Sequence, residues 1–189
     1  MCGIAGWIDK NQYLSDQQTA LDAMSRTLER RGPDDHGQYT EPNVCLLHRR
    51  LAVVDPQNGH QPMVTHTARE TYALVYNGEL YNTDELRSEL ETLGCHFSTH
   101  SDTEVLLQAY VAWGADCVQR LNGIFAFAVW EKNSRRLFAA RDRMGVKPFY
   151  YYPYPGGLVF GSEIKALLAN PMVEPVVDSD GLNQIFLLG

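Results

Sequence analysis

This sequence lacks the signatures of several common protein classes. It has four cysteines, Cys2, Cys45, Cys95 and Cys117, but no CxxC pair, so reduced thiols are expected rather than a disulfide framework. No run approaches about 18 apolar residues, and no basic stretch precedes an apolar run at the N-terminus. Neither a phosphate-binding P-loop nor a dinucleotide fingerprint is present. These absences predict a cytoplasmic protein with no transmembrane helix, no signal peptide and no nucleotide site of those two kinds.

Positive charge is also scarce. The net charge is −7, which argues against nucleic acid or an anionic membrane as a partner. The composition is ordinary for a globular protein, with 44% hydrophobic and 21% charged residues. A chain of 189 residues favours one domain, and one of this size buries about 70% of its unfolded surface.

Strands and helices occur in groups along the chain, which favours a layered α+β fold over a doubly wound parallel sheet. Capping residues and apolar spacing predict helices, some of them short, at Ser15–Arg31, Asn82–Leu93, Ser101–Trp113, Ala115–Leu121, Glu163–Ala169 and Asp178–Leu188. Apolar runs predict strands at Met1–Asp9, Gly37–Thr40, Val44–His48, Leu51–Val54, Thr71–Tyr76, Ile124–Trp130, Leu137–Arg141, Phe149–Tyr152 and Leu158–Phe160. Proline and glycine predict a loop at Asp55–Thr67.

Cys2 is a candidate nucleophile. A thiol attacks as its thiolate and needs a base, because a free cysteine has a pKa of about 8.5. If Met1 is removed, the α-amine of Cys2, with a pKa of about 7.7–8.0, can be that base. With Met1 attached, this nitrogen is an amide and cannot act. The alternative is a structural cysteine at a buried chain end.

Two motifs give the sequence a family resemblance. Met-Cys-Gly-Ile at the N-terminus, together with Arg31-Gly32-Pro33-Asp34, resembles the class II, N-terminal-nucleophile glutamine amidotransferases. The resemblance continues through Asn122–Ala128, Arg141–Tyr150 and Ser162–Leu167 and covers most of residues 2–170. It implies a four-layer αββα sandwich of two antiparallel sheets.

The run from His48 to Asp55, His-Arg-Arg-Leu-Ala-Val-Val-Asp, resembles the asparagine synthetase type more than the phosphoribosylpyrophosphate or hexosamine-forming amidotransferases. By resemblance Arg50 holds the α-carboxylate of glutamine, which suits a planar guanidinium. The main chain of Leu51 and Val53 would line the same pocket. Arg49 is the competing assignment, and an exposed arginine at a strand end is the alternative without function.

Asn77-Gly78-Glu79 has two interpretations. Asn-Gly after a strand is a strong hairpin signal. By resemblance the Asn77 side chain and the Gly78 N–H instead form an oxyanion hole, where a lost donor can cost on the order of 10²–10³ in rate. Glu79 would border the amino end of the substrate.

Ser101 and Glu104 have capping-box spacing, so Asp102 can simply be an acid in the first turn of a helix. By resemblance Asp102 also pairs with the glutamine α-ammonium. A pocket for a zwitterion needs one cation and one anion, which Arg50 and Asp102 would supply. Cys95, His96 and His100 lie close together in sequence, but nothing else has zinc-ligand spacing, so no metal site is predicted.

The resemblance implies a glutaminase that converts L-glutamine to glutamate and ammonia. It further implies a C-terminal synthetase domain, to which residues 171–189 would begin the linker after an amidotransferase domain at 1–170. No cofactor is expected in this domain, since ATP and Mg²⁺ would belong to the synthetase domain. A homodimer is a further possibility. The alternatives are a different final acceptor, a hydrolase of another amide, and a degenerate domain without activity.

Overall fold

The computed structural model describes residues 1–52 and 59–188. Two antiparallel sheets lie face to face in it. The first contains β1 (Gly3–Asp9), β2 (Asp35–Glu41), β3 (Val44–Arg50), β8 (Tyr150–Tyr154) and β9 (Gly157–Gly161), in the order β2-β3-β1-β9-β8. The second contains β4 (Met63–His66), β5 (Thr71–Leu80), β6 (Gly123–Glu131) and β7 (Arg136–Arg141), in that order.

The helices of the described residues are α1 (Gln18–Thr27), α2 (Thr83–Thr92), α3 (Asp102–Trp113), α4 (Ile164–Leu168) and α5 (Ser179–Leu188), with 3-10 turns at Leu14–Asp16 and Gly114–Gln119. Helices α1 and α4 pack on the first sheet, and α2 and α3 pack on the second. The predicted four-layer αββα sandwich is confirmed.

Strand alternation divides the core into three apolar layers. In β3, Leu46 faces the second sheet while Cys45 and Leu47 face α1. In β6, Ala126 and Ala128 face the first sheet. Small side chains at these positions leave room for the fully buried Phe160 between the sheets.

Several local predictions are wrong at their edges. The helix predicted at Ser15–Arg31 is α1, Gln18–Thr27, and Ser15 bonds to Asp16 instead of capping it. The loop predicted at Asp55–Thr67 contains strand β4, and residues 53–58 lie outside the described part. Leu51 and Ala52, predicted to start a strand, follow the end of β3. The helical piece predicted at Ala115–Leu121 is the 3-10 turn Gly114–Gln119.

The hairpin interpretation of Asn77-Gly78 is also wrong. Both residues lie inside β5, where Asn77 pairs with Ala126 and Gly78 with Phe125 of β6. A strand that continues through them puts consecutive side chains on opposite faces. Tyr76 therefore packs toward the helices, whereas Asn77 faces the first sheet.

Candidate active site

A cleft of about 230 Å³ gathers residues that are far apart in sequence. This volume is below the roughly 300–1,000 Å³ of pockets for drug-sized ligands, so the cleft suits one small molecule. It is lined by the N-terminus, the end of β3, the segment before β4, the second half of β5, the first turn of α3 and the segment after β7. Its residues are Met1, Cys2, Arg50, Leu51, Gly59, Gln61, Tyr76, Asn77, Gly78, Glu79, Ser101, Asp102, Thr103 and Lys147.

The N-terminus is held in place because β1 lies between β3 and β9. The Ile4 N–H donates to Ser162 Oγ at 3.0 Å. Arg31 Nε donates to the Cys2 carbonyl at 2.9 Å, and Arg31 pairs with Glu163 at 3.2 Å. The Cys2 thiol contacts both polar groups of the Leu51 main chain, since its Sγ accepts from the N–H at 3.4 Å and donates to the carbonyl at 3.6 Å.

Arg31-Gly32-Pro33-Asp34 connects the N-terminus to the end of β3. A Cβ on Gly32 would lie 2.3 Å from the Arg49 carbonyl oxygen, so only glycine permits this approach. The Asp34 carboxylate accepts from the Ala52 N–H at 2.8 Å. The motif therefore fixes Cys2 and the segment after β3 at the same time, which the sequence alone did not indicate.

Alternation along β3 separates the two arginines. Arg49 lies on the α1 side, where its Nε donates to Ser25 Oγ at 2.9 Å and its guanidinium pairs with Glu29 at 3.2 Å. Arg50 lies on the opposite side, 4% exposed, and lines the cleft. Of the two competing arginines, only Arg50 can reach a ligand there.

Asn77 and Gly78 form the wall of the cleft on β5. Asn77 is 1% exposed, and its Nδ2 has no hydrogen-bond acceptor among the described residues. A buried donor without an acceptor costs roughly 1–3 kcal/mol, which an oxygen atom of a ligand can offset. A Cβ on Gly78 would lie 2.4 Å from the Ile124 carbonyl oxygen and 2.5 Å from the Tyr76 ring, so the backbone there requires glycine.

Asp102 is the half-buried acid of the cleft. Its Oδ2 accepts from Tyr76 Oη at 2.8 Å and from the Leu80 N–H at 3.3 Å. Burial raises the pKa of Asp102 above its ordinary value, the neighbouring charge of Glu79 adds to this, and the two hydrogen bonds oppose it. A cation bound beside this carboxylate would lower its pKa again, so the site favours a positively charged group.

Gln61 and Lys147 are among the cleft residues that were not identified as site residues from the sequence. The Gln61 side chain accepts from the Tyr76 N–H at 2.6 Å and donates to Thr103 Oγ1 at 3.3 Å, which ties β5 to α3. Lys147 lies in the stretch Arg141–Tyr150, but nothing in the sequence gave it a role. Only the structure points to Lys147, because a lysine that is 8% exposed is unusual.

The cleft brings together most of the predicted site residues. Cys2, Asn77, Gly78, Arg50, Leu51, Glu79 and Asp102 all line it. Val53 lies outside the described residues. Within residues 1–52 and 59–188, no three His, Cys, Asp or Glu side chains are grouped to hold a metal ion, Cys95, His96 and His100 included. Over the same ranges, no helix has the length and apolar character to cross a membrane.

Comparison with known proteins agrees with these motifs. Over residues 1–189 the chain matches the family model described as "Glutamine amidotransferase domain". It is 52% identical over 189 residues to asparagine synthetase [glutamine-hydrolyzing] 3 of Bacillus subtilis, covering 100% of this chain and 31% of that protein. It is 40% identical over 187 residues to asparagine synthetase [glutamine-hydrolyzing] 1 of the same organism, covering 97% of this chain and 29% of that protein.

A solved structure shares the fold. Glutamine phosphoribosylpyrophosphate amidotransferase from B. subtilis superposes with a TM-score of 0.72 at 21% identity, covering 89% of this chain and 43% of that one. The chain spans less than a third of the length of both asparagine synthetases above. Because the family model matches the entire chain, this chain belongs to the glutamine amidotransferase domain family.

Proposed function

We propose that this chain hydrolyses L-glutamine to glutamate and ammonia, with Cys2 as the nucleophile after removal of Met1. One observation carries the proposal: the Asn77 amide donor is buried without an acceptor in the same cleft as the Cys2 thiol. A donor held ready beside a nucleophile is the arrangement that acyl transfer requires, because the reaction develops negative charge on the carbonyl oxygen.

Recognition of a free amino acid follows from the charges of the cleft. Arg50 would bind the α-carboxylate of glutamine, and Asp102 the α-ammonium, with Glu79 beside it. The main chain of Leu51 and of Val53 would border the same substrate. Support comes from the burial of Arg50 and from the raised pKa of Asp102, since both lower the cost of binding an opposite charge.

The reaction would proceed through a thioester. The Cys2 thiolate attacks the side-chain amide carbon of glutamine, and the oxyanion is stabilised by Asn77 Nδ2 and the Gly78 N–H. The α-ammonium of Cys2 donates the proton with which ammonia leaves. Water then cleaves the γ-glutamyl thioester, which releases glutamate and restores the thiol.

Removal of Met1 is part of the proposal. While Met1 is attached, the Cys2 nitrogen is a peptide amide and cannot act as the base that takes the proton from the thiol. Met1 lies at the cleft and is 59% exposed, so a processing enzyme can reach it. We expect intact-mass analysis of active protein to show a chain beginning at Cys2.

In an intact protein the ammonia would pass to an ATP- and Mg²⁺-dependent synthetase domain and be used to make asparagine. Both relatives described above are named glutamine-hydrolyzing asparagine synthetases, and this chain covers only 31% and 29% of their length, which supports this proposal. Under it residues 171–189 begin the connection after a domain at 1–170, the protein works in the cytoplasm, and a homodimer is possible. The second candidate function is that of an amidotransferase domain whose ammonia goes to a different acceptor.

A diazo-ketone analogue of glutamine tests the proposal. It should label processed protein once, on Cys2, and glutamine should protect against labelling. The control is Cys95→Ser, because Cys95 is the other partly exposed thiol, and this variant should label normally. Processed protein that is neither labelled nor able to release ammonia from glutamine would contradict the proposal and favour a degenerate domain.

A further inference from the structure

The side chain of Lys147 is a buried cation at the cleft. It is 8% exposed and lines the cleft with Cys2, Asn77 and Gly78. We propose that the Lys147 ammonium stabilises the anions that form at the Cys2 end of the cleft, a role that rests on the glutaminase function proposed above.

The backbone of Lys147 is fixed next to the strand pair that carries Gly78. Its N–H donates to Asp142 Oδ2 at 2.9 Å, and the same oxygen accepts from the Phe125 N–H at 3.3 Å. Phe125 is the register partner of Gly78. Arg141 Nε donates to the Lys147 carbonyl at 2.6 Å. One carboxylate oxygen thus links Lys147 to the backbone opposite the proposed oxyanion hole.

The Lys147 ammonium has no counter-ion in the described part of the chain. None of the ion pairs or side-chain hydrogen bonds of residues 1–52 and 59–188 includes its Nζ. The Asp102 carboxylate is engaged by Tyr76 and Leu80 instead. An ammonium without a counter-ion, on a side chain that is mostly buried, is stabilised when an anion forms nearby.

The charge balance of the cleft indicates which anion that is. The ionisable groups lining it, besides Cys2 and the chain-end amine, are Arg50, Tyr76, Glu79, Asp102 and Lys147. Under the proposed function Arg50 and Asp102 match the two charges of zwitterionic glutamine. Lys147 and Glu79 then remain. Glu79 is exposed and is proposed to lie at the amino end of glutamine, so the positive charge of Lys147 is available to the Cys2 thiolate, the tetrahedral oxyanion and the γ-carboxylate of the product.

The step needs no proton from Lys147. When the sulfur electron pair forms the S–C bond, the π electrons of the amide carbonyl move to its oxygen, and the negative charge moves from sulfur to oxygen. The ammonium keeps its proton throughout and acts by its charge. A fixed charge of this kind accelerates the reaction because it needs no reorganisation during the step.

The test compares Lys147→Met with Lys147→Arg in processed protein, with Lys10→Met as the control because Lys10 is an exposed lysine away from the cleft. For Lys147→Met we expect kcat on glutamine to fall about 10- to 100-fold, while KM changes less than about twofold because the zwitterion contacts remain. The pH at which labelling of Cys2 by the diazo-ketone is half-maximal should rise by about one unit. Lys147→Arg should restore most of kcat, and Lys10→Met should match the wild type.

Thermal unfolding of each variant separates this role from a merely structural one. If Lys147→Met unfolds early, Lys147→Gln is measured in its place with the same expected changes. A wild-type kcat and labelling profile in the folded, charge-free variant would overturn the proposal, and so would a raised KM with unchanged kcat. Processed wild-type protein without glutaminase activity would instead contradict the proposed function itself, so the two failures are distinguishable.

Discussion

Replacing Gln61 by leucine removes the side-chain bridge between β5 and α3. The change keeps the approximate size of the side chain but leaves the Tyr76 N–H, now bonded at 2.6 Å in a buried position, without its acceptor. A buried donor left in this way costs roughly 1–3 kcal/mol, and loss of the 3.3 Å bond to Thr103 adds about 0.5–1.5 kcal/mol. We expect the free energy of unfolding to fall by about 1.5–4.5 kcal/mol. In a chain of this length that lowers Tm by about 3–18 °C.

The same substitution should reduce activity. Tyr76 directly precedes Asn77, and Thr103 directly follows Asp102, so the bridge holds both proposed ends of the substrate site at a fixed separation. Urea unfolding measures stability, and ammonia release from glutamine measures kcat. The matched control is Gln38→Leu on the exposed face of β2, which should change the free energy of unfolding by less than about 0.5 kcal/mol. A Gln61→Leu protein as stable and active as that control would show that the Gln61 side chain does not hold β5 and α3 together.

Three other substitutions test the proposed roles. Asn77→Ala should lower kcat on the order of 10²–10³-fold in ammonia-release assays at little cost in stability, because the lost donor has no acceptor among the described residues; unchanged kcat would contradict its role. Arg50→Lys should raise KM for glutamine about tenfold or more because a bidentate contact is lost, while Arg49→Lys, on the far face of β3, should leave KM unchanged. Because burial raises the pKa of Asp102, its charged form destabilises the folded protein above that pKa, whereas below the ordinary pKa of an aspartate there is no such penalty. Urea unfolding should therefore find Asp102→Asn at least as stable as wild type at neutral pH, although this variant should bind glutamine weakly. In the wild type, KM for glutamine should rise as the pH falls through the raised pKa of Asp102. A pH-independent KM would count against the assignment of Asp102 to the α-ammonium.

The sequence predicted the layered α+β class because grouped strands and helices leave distinct periodic patterns. The prediction of individual strands failed where the structure of a segment depends on the strand with which it pairs. Asn77-Gly78 is a local turn signal, yet nine residue pairs between β5 and β6 keep both residues in the strand. β4 was missed because it has only four residues, Met63–His66, and directly follows Pro62.

The candidate site was predicted from motifs, and strand geometry explains which residues line it. Alternation along β3 is enough to put Arg50 and Arg49 on opposite faces, so this choice could have been made from a correct strand assignment alone. The positions of Gln61 and Lys147 could not, because their contacts join segments that are distant in the sequence. Gln61 reaches Thr103 over 42 positions. Lys147 is connected to the strand pair that carries Gly78 through Asp142, whose Oδ2 also accepts from the Phe125 N–H, 17 positions away.

Under the proposed function, the Cys2 sulfur forms a covalent bond to the γ-carbonyl carbon of glutamine. Acid quenching of protein during turnover, followed by mass spectrometry of the N-terminal peptide, measures this directly. We expect a γ-glutamyl thioester on Cys2 in chains that have lost Met1 and none in chains that retain it. Steady release of ammonia without any adduct on Cys2, or undiminished release by Cys2→Ser, would contradict it.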